Sequence, residues 1–278
     1  MLGDKMLKTL TNKISNMTGA EILRFKKREK NHFLISIILI MAVYVYGGVS
    51  NNPLIYWSAF IVMVVLVLLH VLRLAFIEKG VRNILCEHID LDRYQNIFEH
   101  YSAYGQNRAR RSKSSQAFYF INMAQIYYLR GDFEESLKML GEFKPTDFNS
   151  IQTQSIARYY YLEFLNKVFN RDSYDLQHYV SVLSTIPTKF QNQKELISQQ
   201  VNVIKMIDSI VTEKIPITIS VESGNNHLEQ VELCYYKALN YLNQNQPEEA
   251  KSCFQEIVNE NPDLFYVKEA KKYLEELV

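Results

Sequence analysis

FLISIILIMAVYVYGGV (33–49) and LIYWSAFIVMVVLVLLHVL (54–72) are the two stretches of sequence that decide the fold. The first has no charged residue in 17 positions, and the second has none in 19 if His70 is neutral. A helix of the second length spans about 28 Å, close to the hydrocarbon thickness of a bilayer. Both stretches are apolar on every side, which is unusual for helices of a soluble core. They predict two transmembrane helices, at about 33–49 and 54–76.

The turn between these stretches is short and uncharged, and it joins the spans as an antiparallel hairpin. Basic residues lie on both outer flanks of the hairpin: Lys13, Arg24, Lys26, Lys27, Arg28 and Lys30 before it, and Arg73, Lys79, Arg82 and Arg93 after it. The turn has none, so the positive-inside rule places the N- and C-termini in the cytoplasm. A cleaved signal peptide is the alternative for the first span, but its leader would run 32 residues and no cleavage site follows.

Residues 1–31 form a basic amphipathic segment. Apolar residues recur at helical spacing up to Met17, with lysines between them, which predicts a helix lying in the membrane interface. The basic residues directly before the first span are expected to contact the membrane surface, with anionic lipid as partner: Arg24, Lys26, Lys27, Arg28 and Lys30. A topology signal without a specific lipid is the alternative. The composition, rich in Asn, Lys and Tyr, fits a bacterial source, so we expect a bacterial plasma membrane.

The rest of the chain is predicted to be helical, because 9 Gly and 6 Pro in 278 residues are few for a β protein dense with turns. A net charge of +1 is unlike the basic balance of nucleic-acid-binding proteins, so no nucleic acid partner is expected. The 3 cysteines are widely spaced and indicate neither a disulfide framework nor a zinc site. Residues 77–116 are predicted as a helical connector, with Asp90 as an N-cap and Gln106–Ser115 as a basic loop.

Two segments of the soluble part share the pattern of a helical hairpin. In Ala117–Pro145 the first apolar helical face ends at Gly131–Asp132, and in Val231–Pro262 the break lies at Asn245–Pro247. Each break is followed by a second helix. Aligned on their breaks, the segments match at Ala124 with Ala238, Tyr127 with Tyr241, and Glu134–Glu135 with Glu248–Glu249.

These segments resemble the tetratricopeptide repeat (TPR) family, in which each hairpin has a small residue and a tyrosine in its first helix and a small residue and an aromatic in its second. Both repeats are degenerate, since Ser136 replaces the motif's alanine, Leu140 its aromatic residue and Asn245 its turn glycine. A single hairpin cannot bury its own apolar face, so the solenoid is expected to extend over 117–278. The predicted fold is all-α: a two-helix transmembrane hairpin followed by a TPR-like α-solenoid of helical hairpins.

Three further helices are predicted between the two repeats, at Ser150–Phe169, Ser173–Thr185 and Lys189–Glu213. Ile215–Asn226 is interpreted as an extended loop, with a strand pair as the alternative. Leu264–Leu277 is predicted as a closing helix with a charged outer face.

No sequence signature of catalysis is present, since the chain lacks a phosphate-binding glycine loop, G-x-S-x-G and H-E-x-x-H. We therefore expect no enzyme activity, no metal and no cofactor. His70, the one histidine inside a span, is interpreted as an interfacial histidine near Arg73.

The resemblance implies a concave groove, lined by the first helix of each pair, that binds a protein or peptide partner in the cytoplasm. The residues at groove positions are Phe118, Asn122, Gln125, Tyr128, Tyr235 and Asn243. The lysine and asparagine clamp that some members use for a C-terminal carboxylate is not matched. The predicted function is a membrane-anchored, cytoplasmic-facing scaffold or adaptor. The alternatives are an oligomeric membrane element, such as a transporter accessory or small pore, and a receptor for an intracellular peptide, and homo-oligomerisation is left open.

Overall fold

The computed structural model describes residues 2–106, 113–148, 152–219 and 223–277. Within these ranges it has twelve α-helices and no strand, so the predicted all-α fold is confirmed. The chain divides into two compact units, Met1–Tyr101 and Ser102–Val278. The helices are α1 (Leu2–Ser15), α2 (Gly19–Val49), α3 (Pro53–Cys86), α4 (Leu91–Gln106), α5 (Lys113–Arg130), α6 (Phe133–Gly141), α7 (Thr153–Asn170), α8 (Leu176–Thr185), α9 (Gln191–Ile207), α10 (His227–Asn243), α11 (Pro247–Ile257) and α12 (Phe265–Glu276).

In the first unit, local sequence sets where the long helices begin and end. Thr18 and Glu21 form a capping box at the start of α2, with the Thr18 backbone N–H donating to the Glu21 carboxylate at 2.8 Å. Asn52 caps α3 by accepting from the Leu54 N–H at 3.1 Å, and Pro53 occupies the first helical position. Asn51 between the two helices has φ 51, a left-handed conformation that asparagine tolerates.

Helices α2 and α3 are long and apolar enough to cross a membrane. They have 31 and 34 residues, and so are about 46 and 51 Å long. Each therefore extends beyond its predicted span. Gly47 allows their close approach, since a Cβ there would lie 2.7 Å from the Tyr56 backbone nitrogen. Only 6 % of the most apolar window of each helix is buried, so most of this apolar surface is not covered by the described part of the chain.

The less apolar halves of α2 and α3 pack with α1 and α4. Ile14 of α1 is fully buried against α3, where a Cβ on Gly80 would lie 2.7 Å from the Ile14 Cβ. Gly19 of α2 similarly faces α4, since a Cβ on Gly19 would lie 2.9 Å from the Ile97 Cα. The apolar side of α1 around Ile14 is therefore covered by protein. A helix lying in the membrane interface, as predicted for this segment, would instead turn its apolar side to lipid.

The N-cap predicted at Asp90 is present, because its side chain accepts from the Arg93 backbone N–H at 2.9 Å. The basic loop predicted at Gln106–Ser115 falls largely on 107–112, outside the described residues.

In the second unit, both predicted helical hairpins are present. Gly131 separates α5 from α6 with φ 84, and Asn245 separates α10 from α11 with φ 57. Asparagine thus adopts the left-handed conformation for which the motif uses glycine. Ser136 replaces the small alanine without leaving a buried hydroxyl unpaired, because its Oγ donates to the Ala124 carbonyl at 2.7 Å.

The three helices predicted between the repeats are also found, as α7, α8 and α9. A π-helical turn, Asp208–Thr212, prolongs α9. Residues 214–219 have no regular secondary structure, as expected for an extended loop, while 220–222 lie outside the described residues. Asn240 holds this loop against α10: its Oδ1 accepts from the Ile217 N–H at 2.9 Å, and its Nδ2 donates to the Ile217 carbonyl at 2.8 Å.

The closing helix α12 packs on α10 and α11 and also on α5, the first helix of the unit. Lys268 Nζ donates to the Arg130 carbonyl at 2.9 Å. Phe265 and Tyr266 are buried, whereas Lys271 and Lys272 are exposed, so α12 has the predicted charged outer face. The first and last helical pairs of the unit are thereby joined.

Candidate partner-binding site

Seven aromatic side chains from five helices meet inside the second unit, and we call them the aromatic cluster. They are Tyr128, Phe133, Phe169, Tyr235, Tyr236, Phe265 and Tyr266. The ring centroids of Phe169 and Phe265 lie 4.7 Å apart at an interplanar angle of 64°, an edge-to-face geometry. Such pairs contribute about 0.5–1.5 kcal/mol beyond the burial of their area. The cluster therefore fixes α5, α6, α7, α10 and α12 to one another.

A buried hydrogen bond crosses this cluster. The hydroxyl oxygens of Tyr128 and Tyr266 are 2.8 Å apart, and the two residues are 2 % and 1 % exposed. Because Tyr128 lies on α5 and Tyr266 on α12, the bond joins helices 138 residues apart in sequence. The space that an open solenoid would leave between these helices is thus filled by side chains of the chain itself.

Three of the groove residues predicted from sequence come together on α5. Phe118 is 48 % exposed, while Asn122 is buried and donates through Nδ2 to the Phe118 carbonyl at 2.6 Å. The Asn122 Oδ1 accepts from the Arg158 guanidinium of α7 at 3.2 Å, and the Gln125 Oε1 accepts from the same group. Arg158 thereby orders the polar side of this helix.

The other three predicted groove residues have structural contacts. Tyr128 and Tyr235 belong to the aromatic cluster and are 2 % and 3 % exposed. Asn243 donates through Nδ2 to the Ile210 carbonyl at 2.9 Å and so holds the π-helical turn. The side chains of Tyr128, Tyr235 and Asn243 are therefore engaged in contacts within the chain.

Arg158, Tyr161 and Glu232 face the same region and were not singled out from the sequence. Glu232 precedes Tyr235 and Tyr236 by three and four positions, so helical spacing would have placed all three on one face. No comparable signal existed for Arg158 and Tyr161, because α7 is not covered by the repeat pattern.

The Glu232 carboxylate has an unusual environment for an acid that keeps some solvent contact. Burial raises its pKa to about 7, the charge of Glu229 adds to this effect, and a hydrogen bond with Tyr266 opposes it. Burial, together with the charge of Glu232, also raises the pKa of the Tyr161 hydroxyl well above its usual value. Tyr161 therefore remains a neutral phenol at physiological pH.

We call Phe118, Gln125, Arg158, Tyr161 and Glu232 the open strip, since each retains solvent-exposed surface. Arg158 and Tyr161 are one turn apart on α7, and Tyr161 interacts electrostatically with Glu232 of α10. The strip thus has a guanidinium toward one end and a carboxylate toward the other, with aromatic and amide groups between them. This arrangement suits a polypeptide segment that carries both charges and apolar side chains.

The residues predicted to contact the membrane surface lie on α2, directly before its apolar half. Arg24, Lys27, Arg28 and Lys30 are exposed and Lys26 is partly exposed. The Arg28 guanidinium lies over the Phe25 ring, 5.4 Å from its centroid. On α3, Arg73 forms an ion pair with Glu29 of α2 at 3.2 Å, so basic groups of both helices stand at the same level.

The described part of the chain has no group of three His, Cys, Asp or Glu residues that could hold a metal ion. Within it the cysteines are free thiols, and burial raises the pKa of Cys234 to about 11. This thiol is therefore protonated and weakly nucleophilic at neutral pH.

A family model of the tetratricopeptide repeat matches residues 231–264, which include most of α10 and all of α11. No curated protein and no solved structure matches the chain. The chain therefore contains a tetratricopeptide repeat, of a family whose members are generally non-catalytic scaffolds for protein–protein interaction. The matched repeat carries Glu232 and Tyr235 on its first helix.

Proposed function

We propose that this chain is a membrane-anchored adaptor that holds a protein partner at the cytoplasmic side of the membrane. The observation that carries the proposal is that one chain combines an interaction repeat with two apolar helices whose side chains point outward. Ile38, Ile61 and Leu68 are 66 %, 60 % and 58 % exposed. Covering apolar surface stabilises by about 25 cal/mol per Å², and a bilayer would cover these side chains along both helices.

The charges on α2 support the orientation. Arg24, Lys26, Lys27, Arg28 and Lys30 lie next to the apolar half of the helix, where each contributes about 1 kcal/mol of attraction to an anionic membrane surface. The turn at the other end of the hairpin, 50–52, has no charge. Both chain ends would therefore be cytoplasmic.

The open strip is the proposed contact surface for the partner. Its residues converge from α5, α7 and α10, so the strip is rigidly supported by the aromatic cluster beneath it. A preformed surface of this kind loses little conformational freedom on binding.

Photo-crosslinking in intact cells tests the proposed contact surface. Benzoylphenylalanine in place of Phe118 should give a discrete adduct with one partner. The same group in place of Phe190 should not, although Phe190 is 65 % exposed, because it lies outside the strip. Replacing Arg158 by Ala should reduce the Phe118 adduct about tenfold, the effect of losing about 1.4 kcal/mol at an interface. Equal adducts from both positions, or an adduct indifferent to Arg158, would contradict binding along the strip.

A further inference from the structure

One side of α2 carries six exposed side chains that line a shallow surface depression of about 400 Å³, and we call this side the outward face. Its members are Arg24, Lys27, Arg28, Asn31, His32 and Ile35. They recur at intervals of three and four residues, which places them on one side of a helix. The opposite side of α2 contacts α3, where the rings of Phe33 and His70 stack with their centroids 3.9 Å apart. The outward face is therefore turned away from the other helix of the hairpin.

The outward face has basic groups and no acid. The half of α2 before its apolar stretch has two acids, Glu21 and Glu29, and both have partners off this face. The Glu21 carboxylate accepts from the Thr18 backbone N–H at 2.8 Å in the capping box. The Glu29 carboxylate is 15 % exposed and pairs with Arg73 of α3 at 3.2 Å. The face therefore presents positive charge to an anionic ligand.

Chemical groups follow one another along this face in a definite order. The guanidinium groups of Arg24 and Arg28 come first, and the amide of Asn31 comes next. Apolar side chains follow on the same side, with Ile35 57 % and Leu39 63 % exposed. A phospholipid has the matching order of phosphate, ester oxygens and hydrocarbon chains. Charge, hydrogen bonding and apolar contact are thus complementary to one lipid molecule along the helix axis.

The Arg28 side chain is positioned on the protein itself. Its guanidinium carbon lies over the Phe25 ring, 5.4 Å from the ring centroid, which is a cation–π contact. A guanidinium packed on a ring keeps N–H groups at its edge that can donate to two phosphate oxygens. Positioning of this kind reduces the conformational freedom that the side chain loses on binding.

We propose that the outward face of α2 binds the headgroup of one anionic phospholipid. This inference rests on the proposed membrane anchoring. It goes beyond a general attraction of basic residues to the membrane surface, because it assigns one lipid to one site. Arg24 and Arg28 donate hydrogen bonds to the phosphate, and Lys27 adds a third positive charge. Asn31 donates to an ester oxygen, and Ile35 contacts the start of an acyl chain.

Native mass spectrometry of the full chain, released from detergent micelles, tests the site because it resolves each bound lipid. Dioctanoyl phosphatidylglycerol is the probe, and phosphatidylcholine with the same chains is the neutral control. The first phosphatidylglycerol should bind about tenfold more tightly than the second, whereas phosphatidylcholine should show no preferred first molecule. Equal affinities of the two lipids for the chain would overturn the proposal.

Two substitutions of equal charge separate a site from a diffuse basic surface. Arg28→Gln and Lys30→Gln each remove one positive charge at nearly the same level of α2, but Lys30 is exposed on another side of the helix. The affinity for the first phosphatidylglycerol should fall about tenfold in Arg28→Gln and less than about twofold in Lys30→Gln. Equal losses would mean that the charges act only as a diffuse surface, which would overturn the proposal.

Arg28→Lys tests the geometry of the phosphate contact at constant charge. A lysine cannot donate two parallel hydrogen bonds in the manner of a guanidinium, so the first lipid should bind several-fold more weakly. Because the replaced side chain is exposed, the thermal unfolding midpoint should stay as it was. An affinity equal to that of the unmodified chain would contradict the assigned contact.

Competition with ammonium phosphate distinguishes a lipid from a free phosphate ion. A hundredfold excess of phosphate over the lipid should leave the first phosphatidylglycerol bound, because the ion lacks the ester and acyl contacts. Displacement at equal concentration would assign the face to free phosphate and overturn the lipid.

The membrane anchoring is tested separately from this site. Absence of a preferred phosphatidylglycerol in a chain that resists alkaline extraction from membranes would overturn this inference and leave the anchor standing. Alkaline extraction of the unmodified chain would instead contradict the anchor, whichever lipid it binds in micelles.

Discussion

Replacing Tyr266 by Ala should destabilise the repeat unit by about 3–5 kcal/mol, the range for removing a large aromatic side chain from a core. Tyr266 is 1 % exposed, and its ring centroid lies 5.2 Å from that of Tyr235 and 5.0 Å from that of Phe265. Its hydroxyl also pairs with Tyr128. Urea unfolding of the detergent-solubilised chain, followed by circular dichroism, measures the loss, which should correspond to a fall in Tm of about 10 °C.

Two matched variants separate the contribution of the buried Tyr266 ring from that of its hydroxyl and from that of an exposed ring. Tyr266→Phe keeps the ring and loses only the hydrogen bond, so it should cost about 1 kcal/mol. Phe190→Ala removes an aromatic ring that is 65 % exposed, and should change stability by less than about 0.5 kcal/mol. A cost below about 1 kcal/mol for Tyr266→Ala would mean that α12 does not close the unit against α5.

Replacing Ile61 by Arg should reduce the membrane-integrated fraction of the protein strongly. Ile61 lies in the middle of the apolar part of α3 and is 60 % exposed. On the insertion scale, exchanging Ile for Arg near the centre of a span costs about 3 kcal/mol. Alkaline extraction of membranes followed by immunoblotting measures the fraction that remains integrated.

The same substitution has the opposite expected result in a soluble protein. An arginine at an exposed helical position changes stability by less than about 0.5 kcal/mol and improves solubility. Phe190→Arg, in the second unit, is the control and should leave integration unchanged. Unchanged integration with Ile61→Arg as well would argue against a membrane span.

The sequence predicted the helices well because their signals are local. The signals that predicted both hairpins and the helices between them each act within a few residues. They are the left-handed residues Gly131 and Asn245, the N-cap Asp90 and the apolar periodicity. The long apolar helices α2 and α3 could likewise be predicted from their uncharged composition alone.

What the sequence did not predict depends on contacts between distant residues. Tyr128 was assigned to a groove from its repeat position, whereas it pairs with Tyr266, 138 residues away. Nothing in the sequence around Gly80 indicated that Ile14 would pack against it. Arg158 lies in a helix without repeat character, so nothing local indicated that it would organise Asn122 and Gln125. The helical spacing of Glu232 and Tyr235 would have placed both residues on one face of α10, so this part of the site could have been predicted from the sequence.

The orientation of the hairpin is tested most directly by thiol labelling in intact cells, on a background without Cys86, Cys234 and Cys253. Ser50 is the better reporter position in the turn, because Asn51 has φ 51 and a cysteine there would be strained. Ser252 of α11 is exposed and reports on the repeat unit.

An impermeant maleimide should label Ser50→Cys in intact cells and Ser252→Cys only after the cells are opened. This result would place the turn outside and the partner-binding unit in the cytoplasm, as a membrane-anchored cytoplasmic adaptor requires. Labelling of Ser252→Cys in intact cells, or protection of Ser50→Cys until the cells are opened, would contradict it.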